Sequence, residues 1–211
     1  DYAYAPSYSW IEIDSNYGGS GTNVSLSDNG DAGDNTNVSF PGGFNFSYYG
    51  QSYNDITVCS NGWIAPGGST QSSFMNAPVP GPGGPSPMIA PFWDDLDLSG
   101  GSVCYYYDAA SHKFIIQWSR ISNDYDNDGG FGGDDQTFQI VLYDAVEYPS
   151  FTGDSDILFQ YHTVNNTSVG FYPVGLDHNA HGQYATVGLE DHTSLVGLQY
   201  SFNNTYPTPA K

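Results

Sequence analysis

The densest concentration of chemically useful side chains in this 211-residue chain is Asp124-Tyr-Asp-Asn-Asp-Gly-Gly-Phe-Gly-Gly-Asp-Asp135. Its spacing is that of a twelve-residue calcium loop. Asp124, Asp126 and Asp128 fall at positions 1, 3 and 5, Gly129 at the turn position, Gly130 where a main-chain carbonyl is offered, and Asp135 at position 12, where Glu is usual. Alternate carboxylates converge because the glycine turn folds the loop around a hard cation that takes six to eight oxygens. Two weaker acidic groups follow the same logic: Asp28, Asp31 and Asp34 in one run, and Asp94, Asp95 and Asp97 in another. The second group reads equally well as turn residues that accept from backbone N–H groups.

The charge balance supports metal more than nucleic acid. Three Lys+Arg face 23 Asp+Glu, a net charge of −20. Such a surface repels phosphate backbones and anionic membranes. Only Glu12, Glu147 and Glu190 are glutamates. Asp prefers turns and binds hard cations with a short, stiff carboxylate, so calcium is the expected cofactor.

Catalysis finds little support. His112, His162, His178, His181 and His192 form no metalloprotease helix motif, and neither a nucleophile elbow nor a phosphate loop is present. A carboxylate pair of the glycoside-hydrolase kind is a remote alternative, since such partners are defined by three-dimensional spacing. The chain is expected not to be an enzyme.

The elements that position these residues are strands. Gly (26) and Tyr (18) are abundant and helix formers scarce, so we expect an all-β, antiparallel, jelly-roll-like β-sandwich of about ten strands with long Gly/Asp-rich loops, a single domain over residues 1–211. Candidate strands lie at 44–49, 56–59, 62–65, 88–93, 103–107, 113–118, 137–143, 157–161, 184–190 and 196–202, with 14–37 as a long loop. The Pro/Gly stretch 77–87 suits neither a helix nor a central strand. In 114–118, 138–142 and 157–161, large apolar residues alternate with Gln117, Gln139 and Gln160. One face of that sheet is therefore core, and the glutamines read as solvated positions or as a ligand-facing row.

No stretch is long and apolar enough for a membrane helix, and the opening at Asp1 reads as a mature form. Cys59 and Cys104 suggest one disulfide in an extracellular setting, closing a loop of about 45 residues, with two buried free thiols as the other possibility. Sequons at Asn23, Asn37, Asn45, Asn165, Asn166 and Asn203 are candidate glycan acceptors on an exported chain.

Residues 1–13 place Tyr2, Tyr4, Tyr8, Trp10 and Glu12 on one parity, with almost no charge. This segment reads as an extended arm. Its first eight residues could add to the sheet edge of a neighbour, giving a surface polymer or filament, or it could pair within its own sandwich. The expected partners are copies of the chain or other surface proteins, with glycans as an alternative. As a carbohydrate-binding module the chain would present tyrosines such as Tyr105 to Tyr107, Tyr125, Tyr172 or Tyr184, because all four tryptophans sit in apolar strand contexts.

Taken in order, Tyr48-Tyr-Gly50, Val58-Cys-Ser-Asn-Gly-Trp-Ile64, Ile89-Ala-Pro-Phe-Trp-Asp-Asp-Leu96, Phe114-Ile-Ile-Gln-Trp118, Thr137-Phe-Gln-Ile-Val-Leu-Tyr143, Asp156-Ile-Leu-Phe-Gln-Tyr161, Ala185-Thr-Val-Gly-Leu-Glu190 and Gly197-Leu-Gln-Tyr200 resemble a β-sandwich module of secreted bacterial multidomain proteins, similar to nidogen-like domains. The resemblance spans residues 8–202. It implies a sandwich fold, an extracellular or cell-surface setting and an accessory role without shared catalytic residues. Cys59 departs from a pattern that has a small residue such as Ser there, which fits a bridge to Cys104. The acidic insertion, between 113–121 and 137–143, is the second departure.

Overall fold

A computed structural model describes residues 6–27, 34–98, 100–123, 136–164 and 184–204. The described residues are strands joined by turns and loops, with one 3-10 turn among them at Ser15–Tyr17. The strands are β1 (Thr22–Asn23), β2 (Asn35–Ser39), β3 (Phe46–Tyr48), β4 (Gln51–Tyr53), β5 (Asp55–Cys59), β6 (Trp63–Pro66), β7 (Met88–Trp93), β8 (Leu96–Asp97), β9 (Ser102–Asp108), β10 (Lys113–Asn123), β11 (Gln136–Tyr143), β12 (Ile157–Thr163), β13 (Thr186–Glu190) and β14 (Gly197–Ser201). They form two antiparallel sheets packed as a sandwich. The first has the order β1-β9-β10-β11-β12, with β8 also on β10; the second runs β14-β13-β7-β6-β5-β2. A hairpin, β3–β4, stands beside them.

The alternation read from the sequence produces the shared core. Phe114, Ile116 and Trp118 of β10 and Phe138, Ile140 and Leu142 of β11 point inward. They meet Ile56, Val58, Ile64, Ile89 and Phe92 of the second sheet. Trp118 stacks on Phe138 at 5.1 Å, and its Nε1 crosses the core to donate to the Cys59 carbonyl at 2.9 Å. Tyr161 likewise donates to the Pro91 carbonyl at 2.7 Å. These polar tips satisfy backbone acceptors that burial would otherwise strand.

Several expectations change. Residues 35–39 lie inside the stretch expected to be loop, yet form edge strand β2, where only Val38 is buried and the other four residues are polar. Strand β10 runs to Asn123, five residues beyond the expected end. The disulfide is absent: Cys59 and Cys104 are both buried free thiols. Parity explains it. Cys59 neighbours inward-facing Val58, and Cys104 neighbours inward-facing Val103, so each sulfur points out of its own sheet, away from the other.

Both outer faces are covered. On the second sheet, Cys59, Trp63, Ala65, Met88, Ala90 and Trp93 form an apolar cluster with Val79 of the Pro/Gly stretch. Trp63 and Trp93 each donate from Nε1 to the single carbonyl of Ser73, at 2.9 and 3.0 Å. On the first sheet, the cover is the N-terminal segment.

Candidate functional site

Gln117, Gln139 and Gln160 are cross-strand partners on β10, β11 and β12, and they face outward. Outward is not solvated here: all three are buried, at 0%, 0% and 4% exposure. Their amides form a directional row. Gln160 Nε2 donates to Gln139 Oε1 (2.9 Å), Gln139 Nε2 lies 3.4 Å from Gln117 Oε1, and Gln117 Nε2 donates to Glu12 Oε1 (2.7 Å).

The ligand of this row is the chain itself. The Ser9 N–H donates to Gln160 Oε1 at 2.9 Å, the Ile11 carbonyl accepts from Gln139 Nε2 at 3.0 Å, and the Ile13 N–H donates to Gln117 Oε1 at 3.2 Å. Every second residue of the segment thus meets one glutamine. Two extended residues rise about 6.6 Å, whereas strands lie about 4.8 Å apart, so the strap crosses the sheet obliquely. Its side chains pack too: Ile13 sits with Cys104, Ile115 and Val141, and Trp10 tilts against His162 at 5.3 Å between ring centroids. Side chains of both parities reach the sheet: Trp10 and Glu12 on one, Ile11 and Ile13 on the other. The described part of the arm, from Pro6, meets a sheet face through glutamine side chains, not a sheet edge through backbone. Tyr2 and Tyr4 lie outside the described residues, and Tyr8 is exposed.

The strap ends in a charge clamp that sequence reasoning missed. A bulge in β10 leaves two residues, Ser119 and Arg120, between inward-facing Trp118 and Ile121. Arg120 takes φ 53° there, a conformation that the bulge imposes. Its guanidinium lies 3.5 Å from Glu12 Oε2 and 3.2 Å from the Tyr17 ring centroid. Burial pushes the Glu12 carboxyl upward, but hydrogen bonds from Gln117 and the Asp14 N–H, with the Arg120 charge, outweigh it and leave the pKa lowered. Asp14 is lowered in the same way, by Ser119, Asn16, Ser102 and Arg120 against burial. One signal for this clamp was legible: Arg120 is one of only three cations in the chain.

Asp94 is buried at the end of β7. Its Oδ1 accepts from the Asp95 N–H (3.0 Å) and its Oδ2 from Asn123 Nδ2 (3.0 Å); Asn123 Oδ1 accepts from Gln136 Nε2 (3.0 Å). Burial raises the Asp94 pKa to about 7, against two opposing hydrogen bonds. Asp97 pairs in register with Ser122. The fold therefore brings the 94–97 acids beside Asn123 and Gln136, the two residues that bracket the acidic insertion. Asp124, Asp126, Asp128, Gly130 and Asp135 lie outside the described residues, as do Asp28 and Asp31; Asp34 is buried at the start of β2. Among the described residues, no three His, Cys, Asp or Glu side chains converge as a metal shell.

Asn23, Asn37, Asn45 and Asn203 are exposed, though Asn23 Oδ1 accepts from the Cys104 thiol and Asn45 Nδ2 is bonded to Asp144; Asn165 and Asn166 are outside the described residues. Trp63, Trp93 and Trp118 are fully buried. Tyr105 and Tyr107, candidates for an exposed aromatic face, turn inward against Phe114 and Phe44. The described residues include no helix long and apolar enough to cross a membrane.

No curated protein and no solved structure matches the chain. The NIDO-related family matches it over residues 7–211. Domains of this family are non-enzymatic modules, typically extracellular. With nearly the whole length matched and two antiparallel sheets packed as a sandwich, the chain belongs to the NIDO-related family.

Proposed function

We propose that this chain is a non-catalytic structural module of the cell surface, stiffened by calcium, that works by packing with copies of itself or with other surface proteins. The observation that carries the reading is the Asp94–Asn123–Gln136 hydrogen-bonded chain at the base of the acidic insertion. It ties both ends of that insertion to the core. Carboxylates presented from a fixed base lose less conformational freedom when they close around an ion, which favours binding. Asp124, Asp126, Asp128 and Asp135, with the Gly130 carbonyl, supply the hard oxygens that calcium takes. The ion also offsets part of the −20 charge, which otherwise opposes association between copies.

Thermal melting with calcium and with chelator tests the metal. Calcium at about one hundred times its Kd stabilises by about 2.7 kcal/mol, a rise of several degrees. The Asp126→Asn/Asp128→Asn double variant is expected to lose that response while keeping the chelator-treated melting point of the parent. Identical melting of the parent under both conditions overturns the calcium reading.

A further inference from the structure

We infer that the glutamine track is an exchange site, which takes residues 6–13 of a second copy of this chain in place of its own. The inference rests on the self-association proposed above and supplies its partner and its contact. Three of the strap's bonds to the track go to main chain, at Ser9, Ile11 and Ile13. A copy's segment offers the same donors, the same acceptor and the same apolar Ile13. Nothing in the track distinguishes its own strap from a neighbour's.

What favours the chain's own strap is the turn that folds it back, and that turn depends on two glycines. The Tyr17 and Gly19 N–H groups donate to the Asp14 carbonyl, at 3.0 and 2.8 Å, and the Gly21 N–H donates to the Ile13 carbonyl at 2.7 Å. A Cβ at Gly19 would lie 2.2 Å from the Ile13 carbonyl carbon, and one at Gly21 would lie 2.5 Å from its oxygen. Only glycine permits this approach. Opened, residues 14–21 span up to about 26 Å, enough to carry the strap off its own sheet to an adjacent molecule. Exchange between identical elements through such a hinge keeps the strap's contacts with the track and gives up those of the closed turn.

Charge points the same way. Residues 2–11 carry no charge, and the strap's one charged group within 6–13, Glu12, meets Arg120 on the accepting face. A second copy can therefore accept the strap without like-charge repulsion, and its single carboxylate finds a cation on the accepting face.

The test uses the full chain with Trp10→Cys and His162→Cys, positions that face each other across the strap and β12. Mild air oxidation is expected to yield a ladder of covalent oligomers on denaturing gels. Adding Gly19→Ala, which disfavours the closed turn, is expected to raise the ratio of intermolecular to intramolecular links about tenfold, the factor equivalent to about 1.4 kcal/mol. Light scattering on the native chain and on Gln139→Leu supplies a readout without engineered thiols, and the variant is expected to lose the oligomers. If oligomers form but every link closes within one chain, or if Gln139→Leu assembles as the native chain does, exchange is overturned while self-association stands on another surface. A native chain that stays monomeric at every concentration overturns both.

Discussion

The two outer faces of the sandwich are covered by segments of opposite design. Over the second sheet, the Pro/Gly stretch is fixed at both ends and lies on an apolar cluster with two tryptophans pinned to one carbonyl. Over the first sheet, the strap is fixed at its C-terminal end by a glycine turn and lies on a row of amides. An apolar cover is released only by exposing large buried surface, at about 25 cal/mol per Å². Net hydrogen bonds contribute about 0.5–1.5 kcal/mol each, because water replaces what is lost. With Ile13 added, the strap is held by a few kcal/mol, less than the roughly 5–15 kcal/mol of a whole domain. One cover belongs to the folding unit; the other can open while the unit stays folded.

The comparison breaks most visibly at Trp93. Trp93→Ala empties part of the cluster under the Pro/Gly stretch and removes one of the two donors to the Ser73 carbonyl. It is expected to cost about 3–5 kcal/mol in urea unfolding. Gln117→Leu acts on the other cover. It leaves the Ile13 N–H and Glu12 short of partners, at about 1–3 kcal/mol, and the loss should appear first as faster hydrogen exchange at Ser9 and Ile13, ahead of global unfolding.

Acid sharpens the contrast with the smallest effect. The Glu12 and Asp14 pKa values are lowered by folding, so the stability they contribute is present above their unfolded values and lost as pH falls through the folded ones. Below about pH 4, exchange at Ser9 and Ile13 should therefore accelerate relative to Val79 and Gly81. Gly81 N–H is bonded to Glu190, whose pKa burial raises, so protonation there relieves a buried charge. Equal acceleration at all four amides would remove the clamp from the account.

Much of this was legible in the sequence, for a local reason. Alternation in 114–118, 138–142 and 157–161 reports which side of a strand is buried, and the core followed from it. What alternation does not report is what lies over the other side. Gln117 and Ser9 are more than one hundred residues apart, so a glutamine row under a strap looks identical to one in water. The three glutamines recurring at one parity in neighbouring strands were the available sign. The disulfide failed on the same point: each cysteine's parity could be read, but not that the two parities led to opposite outer faces. Strand β2, built from Asn, Thr and Ser around Val38, carries a loop's composition because an edge strand need bury only one side chain.

The native chain contains its own test of the central claim, because one free thiol lies under each cover: Cys104 beneath the strap and Cys59 beneath the Pro/Gly stretch. Timed alkylation in native buffer, mapped by peptide mass, compares the two openings directly. The account predicts that Cys104 is modified at least about tenfold faster than Cys59, through an opening about 1.4 kcal/mol or more easier than global unfolding. Equal rates at the two thiols, both tracking global unfolding, would contradict it.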